Sequence, residues 1–207
     1  MTEQEQIQQI KNWIKQYGVT ILLGIVLAFA ISSGWHYWQN YKNKVLLHAS
    51  AVYDEMINLR AQSKTSDADV QAQKLIRNYP KTPYASMAAF MLARDAVIKK
   101  NDPEAINQLT WVMDHSKDAS LRQIARLRVA RILINEKKSN NAPLELLKTV
   151  DDDNFMGLID EVRGDAYLAM NNLSAAKAAY EHALKELPNA EVTRPILQMK
   201  LDNIATT

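Results

Sequence analysis

GLIDEVRGDAYLAMNNLSAAKAAYEHALKELPNA, residues 157–190, decides how the chain folds. The small residue Gly164 is followed by Tyr167, Leu173, Ala176, Tyr180, Ala183 and Pro188, positions that let two helices pack closely before proline stops the second. The frame repeats: Val129-Ala130 aligns with Arg163-Gly164 at an offset of 34 residues. That preceding copy, Gln123 to Asn154, is degenerate. It keeps Ala130, Leu133, Ala142 and Leu146, but Thr149 and Asn154 stand where the later copy has Ala and Pro. A third copy, Ser86 to Ala119, places Leu92-Ala93, Ala105 and Leu109 in corresponding positions. Its spacing is 37 residues, so the turn near His115 to Ser120 carries extra residues. Asn101-Asp102-Pro103-Glu104 supplies its inter-helix turn, with Asp102 able to cap and Pro103 suited to the first helical position.

Upstream, Ala51, Tyr53, Met56, Ile57 and Leu59 form one apolar stripe, and Ala72, Leu75, Ile76 and Tyr79 another. Tyr79-Pro80-Lys81-Thr82-Pro83-Tyr84 then stops one helix and restarts the next. Downstream, Thr193-Arg194-Pro195 restarts a last helix with Leu197, Leu201 and Ile204 on one side. The offsets in residues 157–190 resemble the tetratricopeptide repeat, although that family's leading Trp and Leu are replaced by Asp160 and Arg163. The expected fold is all-α: a solenoid of helical hairpins, about 45–80, 86–119, 123–156 and 157–190. A C-terminal capping helix at 194–204 shields the apolar end that stacked repeats leave open.

Residues 18–38 read differently. No charged residue lies between Lys15 and Lys42, and at about 1.5 Å rise per residue Gly18 to Trp38 covers roughly 31 Å, the thickness of a bilayer's hydrocarbon core. Trp13 and Tyr17 bracket one end and Trp35, Tyr37, Trp38 and Tyr41 the other, as interfacial aromatic belts do. A cleaved signal is the rival, because Ala28-Phe29-Ala30 satisfies the small-x-small rule. Apolar character continues past Ala30 to the far belt, however, which favours an uncleaved single transmembrane helix. Thr20, Gly24, Ala28 and Ser32 repeat small residues at every fourth position, a face another membrane helix can approach closely. Residues 1–17 form a tail in which Ile7, Ile10, Ile14 and Tyr17 recur at helical spacing. It reads equally as an amphipathic helix on the membrane surface or as a polar extension of the span. Lys11 and Lys15 before the span tie with Lys42 and Lys44 after it, and only the free amino terminus tips the positive-inside count slightly toward a cytoplasmic N-terminus. With no Gly or Pro between Trp35 and Pro80, the span is expected to continue into the first hairpin of residues 39–207.

Composition narrows the chemistry. The chain of 207 residues has net charge +2 and no cysteine, which excludes disulfides, thiolate metal sites and cysteine nucleophiles. Its four histidines, His36, His48, His115 and His182, lack paired ligand spacing, and no P-loop, GxSxG or GxGxxG occurs. No catalytic residue, cofactor, metal, nucleic acid or small-molecule substrate is expected. Asp151-Asp152-Asp153-Asn154 fails as a calcium loop, since Gly and the closing Glu are missing from their offsets, and reads as a capping turn. Arg122, Arg126, Arg128 and Arg131 make a basic helix expected to divide between a solvated face and a groove. The tetratricopeptide resemblance implies a concave surface of Met87, Phe90, Arg94 and Val97; Ile124, Leu127, Arg131 and Ile134; and Leu158, Glu161, Asp165 and Leu168. Partner groove and packing against the adjacent hairpin both remain open for these positions.

The whole layout resembles the YfgM family, ancillary subunits of the bacterial SecYEG translocon. It comprises a short tail, one span ending in Gly34-Trp35-His36-Tyr37-Trp38, degenerate repeats and a closing Gln198-Met199-Lys200-Leu201-Asp202-Asn203-Ile204. Arg163-Gly164-Asp165-Ala166-Tyr167-Leu168 is among the most specific segments. The resemblance implies a bacterial inner-membrane protein with a cytoplasmic N-terminus and a periplasmic repeat domain. It further implies association with SecYEG, with a membrane-anchored periplasmic chaperone (PpiD-like) and with client polypeptides. On that reading the chain is a non-enzymatic adaptor. The alternative is a membrane-tethered regulator that sequesters a signalling protein.

Overall fold

The computed structural model describes residues 3–136, 141–187 and 193–205, and among them every regular element is helical. These are α1 (Glu3–Ala61), α2 (Thr65–Asn78), α3 (Pro83–Ile98), α4 (Asp102–His115), α5 (Ala119–Asn135), α6 (Ala142–Leu146), a 3-10 turn (Asp153–Phe155), α7 (Met156–Ala169), α8 (Leu173–Glu186) and α9 (Thr193–Ala205). The chain divides into two compact units, one ending at His48 and one beginning at Ala49. Among the described residues Ala49 is the first that is packed into a core.

In the first unit α1 is apolar and long enough to cross a membrane, and among the described residues its most apolar window has none buried. Trp13 and Tyr17 approach to 5.9 Å between ring centroids, and Trp35 and Trp38 to 5.4 Å. Lys42 Nζ sits 4.0 Å from the Trp38 ring centroid.

The second unit is built from helical hairpins. Three of its turns are closed in one way, with a non-glycine residue in the left-handed region: Ser63 at φ 61°, Lys100 at φ 57° and Asn171 at φ 59°. In each, the following N–H reaches back to end the first helix: Lys64 to Leu59 O (2.9 Å), Asn101 to Ala96 O (2.8 Å) and Asn172 to Tyr167 O (2.9 Å). Asn101 and Asn172 then cap the next helix, accepting from Glu104 N at 3.3 Å and Ala175 N at 3.1 Å. The cap of α4 is therefore Asn101, with Asp102 as its first residue, which corrects the expectation that Asp102 caps.

Small residues make the close packing possible. Ala49, Val52, Met56, Ala68, Ala72 and Leu75 form the first buried cluster. Ala51, expected in that stripe, is exposed, and Val52 takes its place. Gly164 marks the tightest approach: a Cβ there would fall under 3.0 Å from Cδ1, Cε1 and Cζ of Tyr180. Tyr180, Ala176, Ala183 and Leu197 are fully buried together, with Tyr167, Leu201 and Ile204 packed against them. Pro188, expected to stop this hairpin, lies outside the described residues. The degenerate copy shows its decay in α6, only 5 residues long.

Candidate functional site

The concave positions lie on α3, α5 and α7, and the structure treats them unequally. Met87, Arg94 and Val97 are exposed, and Phe90 is half-buried under the Arg128 guanidinium, 4.8 Å from the ring centroid. On α5, Arg131 is exposed and Ile124 and Ile134 half-buried. Leu127 is buried against Ile159 and Val162, so it packs hairpin to hairpin. On α7, Leu158 is half-buried, Leu168 exposed and Glu161 buried, with Asp165 between.

One cavity of about 160 Å³ lies among α3, α4 and α5, lined by Ala93, Arg94, Val97, Leu109, Arg128, Arg131 and Ile132. It joins three expected groove residues, Arg94, Val97 and Arg131, with four outside that frame. Arg128 could have been found by asking which arginine of α5 sits a helical turn from Arg131.

The acidic positions of the expected concave surface, Glu161 and Asp165, are taken up by the chain itself. Lys200 on α9 donates to Glu161 Oε1 at 3.0 Å and Asp165 Oδ1 at 2.7 Å, while Tyr180 Oη donates to the same Asp165 oxygen at 2.7 Å. Burial, then the Asp165 hydrogen bond, push the Tyr180 phenol well above its ordinary pKa. Arg131 reaches Glu161 only at 3.6 Å.

Two arginines of the basic helix, Arg122 and Arg126, prove to be partners of the acidic turn, which corrects the expected split for that pair, while Arg128 and Arg131 are exposed and line the cavity. Arg122 Nε donates to Asp151 at 2.9 Å, and Arg126 donates from Nε and an η nitrogen at 3.1 and 2.8 Å. Burial works to raise the Asp151 pKa, but the hydrogen bonds and charges of the two arginines outweigh it and hold the carboxyl below its usual range. Asp152 accepts from Ser120 Oγ at 2.5 Å and from Asn154 N at 3.0 Å, and these bonds lower its pKa too. The turn is a staple between α5 and α7. Among the described residues no group of three or more His, Asp or Glu is placed to hold a metal ion.

Elsewhere Asp160 and Arg163, standing where the repeat family carries apolar residues, bond to each other at 2.9 Å. Asp160 also meets His182 Nδ1 at 3.0 Å, and Arg163 donates to Leu147 O at 2.9 Å. In the first unit Thr20, Gly24, Ala28 and Ser32 are all exposed, and a Cβ on Gly24 would meet nothing within 4 Å. The aromatics Trp13, Tyr17, Trp35, Tyr37, Trp38 and Tyr41 are exposed as well.

Against this geometry stand the comparisons with known proteins. The chain is 29% identical to a Neisseria gonorrhoeae protein named ancillary SecYEG translocon subunit, over 99% of this chain and 98% of that protein. A Haemophilus influenzae protein of the same name is 28% identical, and an Escherichia coli one 24%, each over 98% of this chain and 97% of the relative. No solved structure matches the chain. A family model described as a tetratricopeptide repeat-like domain matches residues 11–206, nearly everything from the membrane-length helix to α9, and the chain belongs to that family.

Proposed function

We propose that this chain is a non-enzymatic, membrane-anchored adaptor of the Sec translocon. The observation that carries the reading is similarity along the whole length to relatives named ancillary SecYEG translocon subunit, covering 97–98% of each of the three described above. One apolar helix of membrane-spanning length near the N-terminus fits a single-pass inner-membrane protein. Its N-terminus lies in the cytoplasm and the repeat domain in the periplasm, where the domain links export to a PpiD-like chaperone or to client polypeptides. Tethering raises the local concentration of the groove beside the exit, so modest intrinsic affinity is enough. The face Thr20, Gly24, Ala28 and Ser32 is the docking surface for a translocon helix, by close van der Waals approach.

In-cell photocrosslinking from positions 20–38, with the partners identified by mass spectrometry, tests this. SecYEG components or a membrane-anchored chaperone are the expected catch, and a catch with neither refutes it. Protease added to spheroplasts digests the repeat domain if the orientation is right, and protection reverses it.

A further inference from the structure

The cavity between α3, α4 and α5 gathers positive charge that the chain answers only in part. Arg60, Arg77, Arg122, Arg126, Arg163 and Arg194 each donate to a carboxylate or a backbone carbonyl. The three arginines of the cavity differ. Arg94 has no hydrogen-bond or ion-pair partner among the described residues. Arg128 has the face of Phe90 at 4.8 Å, and Arg131 has Glu161 at 3.6 Å. Glu161 already accepts a hydrogen bond from Lys200 at 3.0 Å. Val97, Leu109 and Ile132 line the same cavity and make the rest of its wall apolar.

A guanidinium fork matches a carboxylate, and an apolar wall gains from covering an apolar side chain. About 160 Å³ is room for a single side chain. A concave site of that size suits an extended peptide better than a planar lipid surface, and with Phe90 covered it offers no open ring for a nucleic-acid base to stack on. We propose that this cavity binds a partner polypeptide through an acidic segment in which a carboxylate flanks an apolar side chain. This deepens the adaptor reading and rests on it, naming the chemistry of what the groove holds.

The test uses the full chain in phosphatidylcholine nanodiscs and fluorescence anisotropy of a labelled peptide, Glu-Leu-Glu-Leu-Glu, beside its Gln and Lys counterparts. The acidic peptide is expected to bind at least about tenfold more tightly than the Gln peptide. R94Q should weaken it about fivefold or more, with an unchanged far-ultraviolet spectrum because Arg94 is exposed. R94E/R128E should lose the acidic peptide and gain the Lys one, an exchange that a structural role for these arginines would not produce. Equal binding of the Glu and Gln peptides, or an unmoved preference in R94E/R128E, overturns the proposal. So does displacement of the peptide by soluble short-chain phosphatidylglycerol, which would make a lipid headgroup the occupant. Crosslinks from positions 20–38 do not depend on Arg94, so their loss with intact peptide binding would sink only the adaptor reading.

Discussion

Gly164→Ala isolates the contact on which the last hairpin rests. The new Cβ would lie under 3.0 Å from three atoms of the Tyr180 ring. The ring has little freedom to retreat: it is 0% exposed, its hydroxyl is tied to Asp165 at 2.7 Å, and Lys200 Nζ lies 5.5 Å from its centroid. Overpacking of this kind costs about 1–3 kcal/mol. Alanine is the better helix former by about 1 kcal/mol, so the net loss reaches up to about 2 kcal/mol. For a domain of this size that lowers Tm by up to about 8 °C. In a Tyr180→Ala background, itself costing about 3–5 kcal/mol, the clash is gone and only the helix term remains. Gly164→Ala should there stabilise by about 1 kcal/mol. The coupling is thus about 1–3 kcal/mol, within what contacting residues show. Urea unfolding of the full chain in mild detergent, followed at 222 nm, measures all four corners of the cycle, and Tyr180→Leu serves if the Ala variant is too unstable. If Gly164→Ala costs as much without the ring as with it, the glycine serves its own backbone and not the approach of Tyr180.

Asp151→Asn should cost about 1.5–3 kcal/mol at pH 7, because Arg122 and Arg126 lose a charged acceptor. Since the folded carboxyl is held below its unfolded value, this stability is complete above about pH 4 and is lost as pH falls through the folded pKa, so the variant's acid unfolding limb should be flatter. A parallel limb would rule out Asp151 as an acid-sensitive staple. For Tyr180 the sign reverses: its raised pKa gives stability that is full below about pH 10 and is lost as pH rises further, so Tyr180→Phe should lose less stability than wild type in alkaline urea titrations. Gly24→Leu with Ala28→Leu should reduce co-purification of a membrane partner in detergent, and undiminished recovery would discard that face.

The hairpin register was legible because small residues at helix crossings recur locally: Gly164, Ala176 and Ala183 announce the last hairpin within one short window. The turns were harder to read. The left-handed residues are Ser63, Lys100 and Asn171, so no glycine marks them. Pairing between distant helices left no local pattern at all. Arg126 meets Asp151 25 residues away, and Lys200 meets Glu161 39 residues away. Such contacts depend on how far each helix is rotated and where the next one lies. That is why the concave frame placed Arg94 and Arg131 at an open cavity yet also included Leu127, which a small rotation turns into the core.

The departures from the repeat pattern at Asp160 and Arg163 compensate for the shortness of α6, and each supports the other. A helix of 5 residues leaves its C-terminal carbonyls without intrahelical donors, and Leu147 O is one that needs a partner. An apolar residue at 163 could not supply it. Arg163 does, at 2.9 Å, and its charge in turn requires the buried Asp160 at 2.9 Å, which His182 completes at 3.0 Å. Restoring the family's leucine with Arg163→Leu should therefore destabilise by about 3–5 kcal/mol, since a buried carboxylate loses its guanidinium. Asp160→Leu with Arg163→Leu should recover part of that loss, because exposed His182 can turn to water and the Leu147 carbonyl is the group left unpaired, at about 1–3 kcal/mol. If the double variant is no more stable than Arg163→Leu in the same urea assay, the two residues are not a compensating pair. The decayed repeat would then have to be held by the Asp151 staple alone.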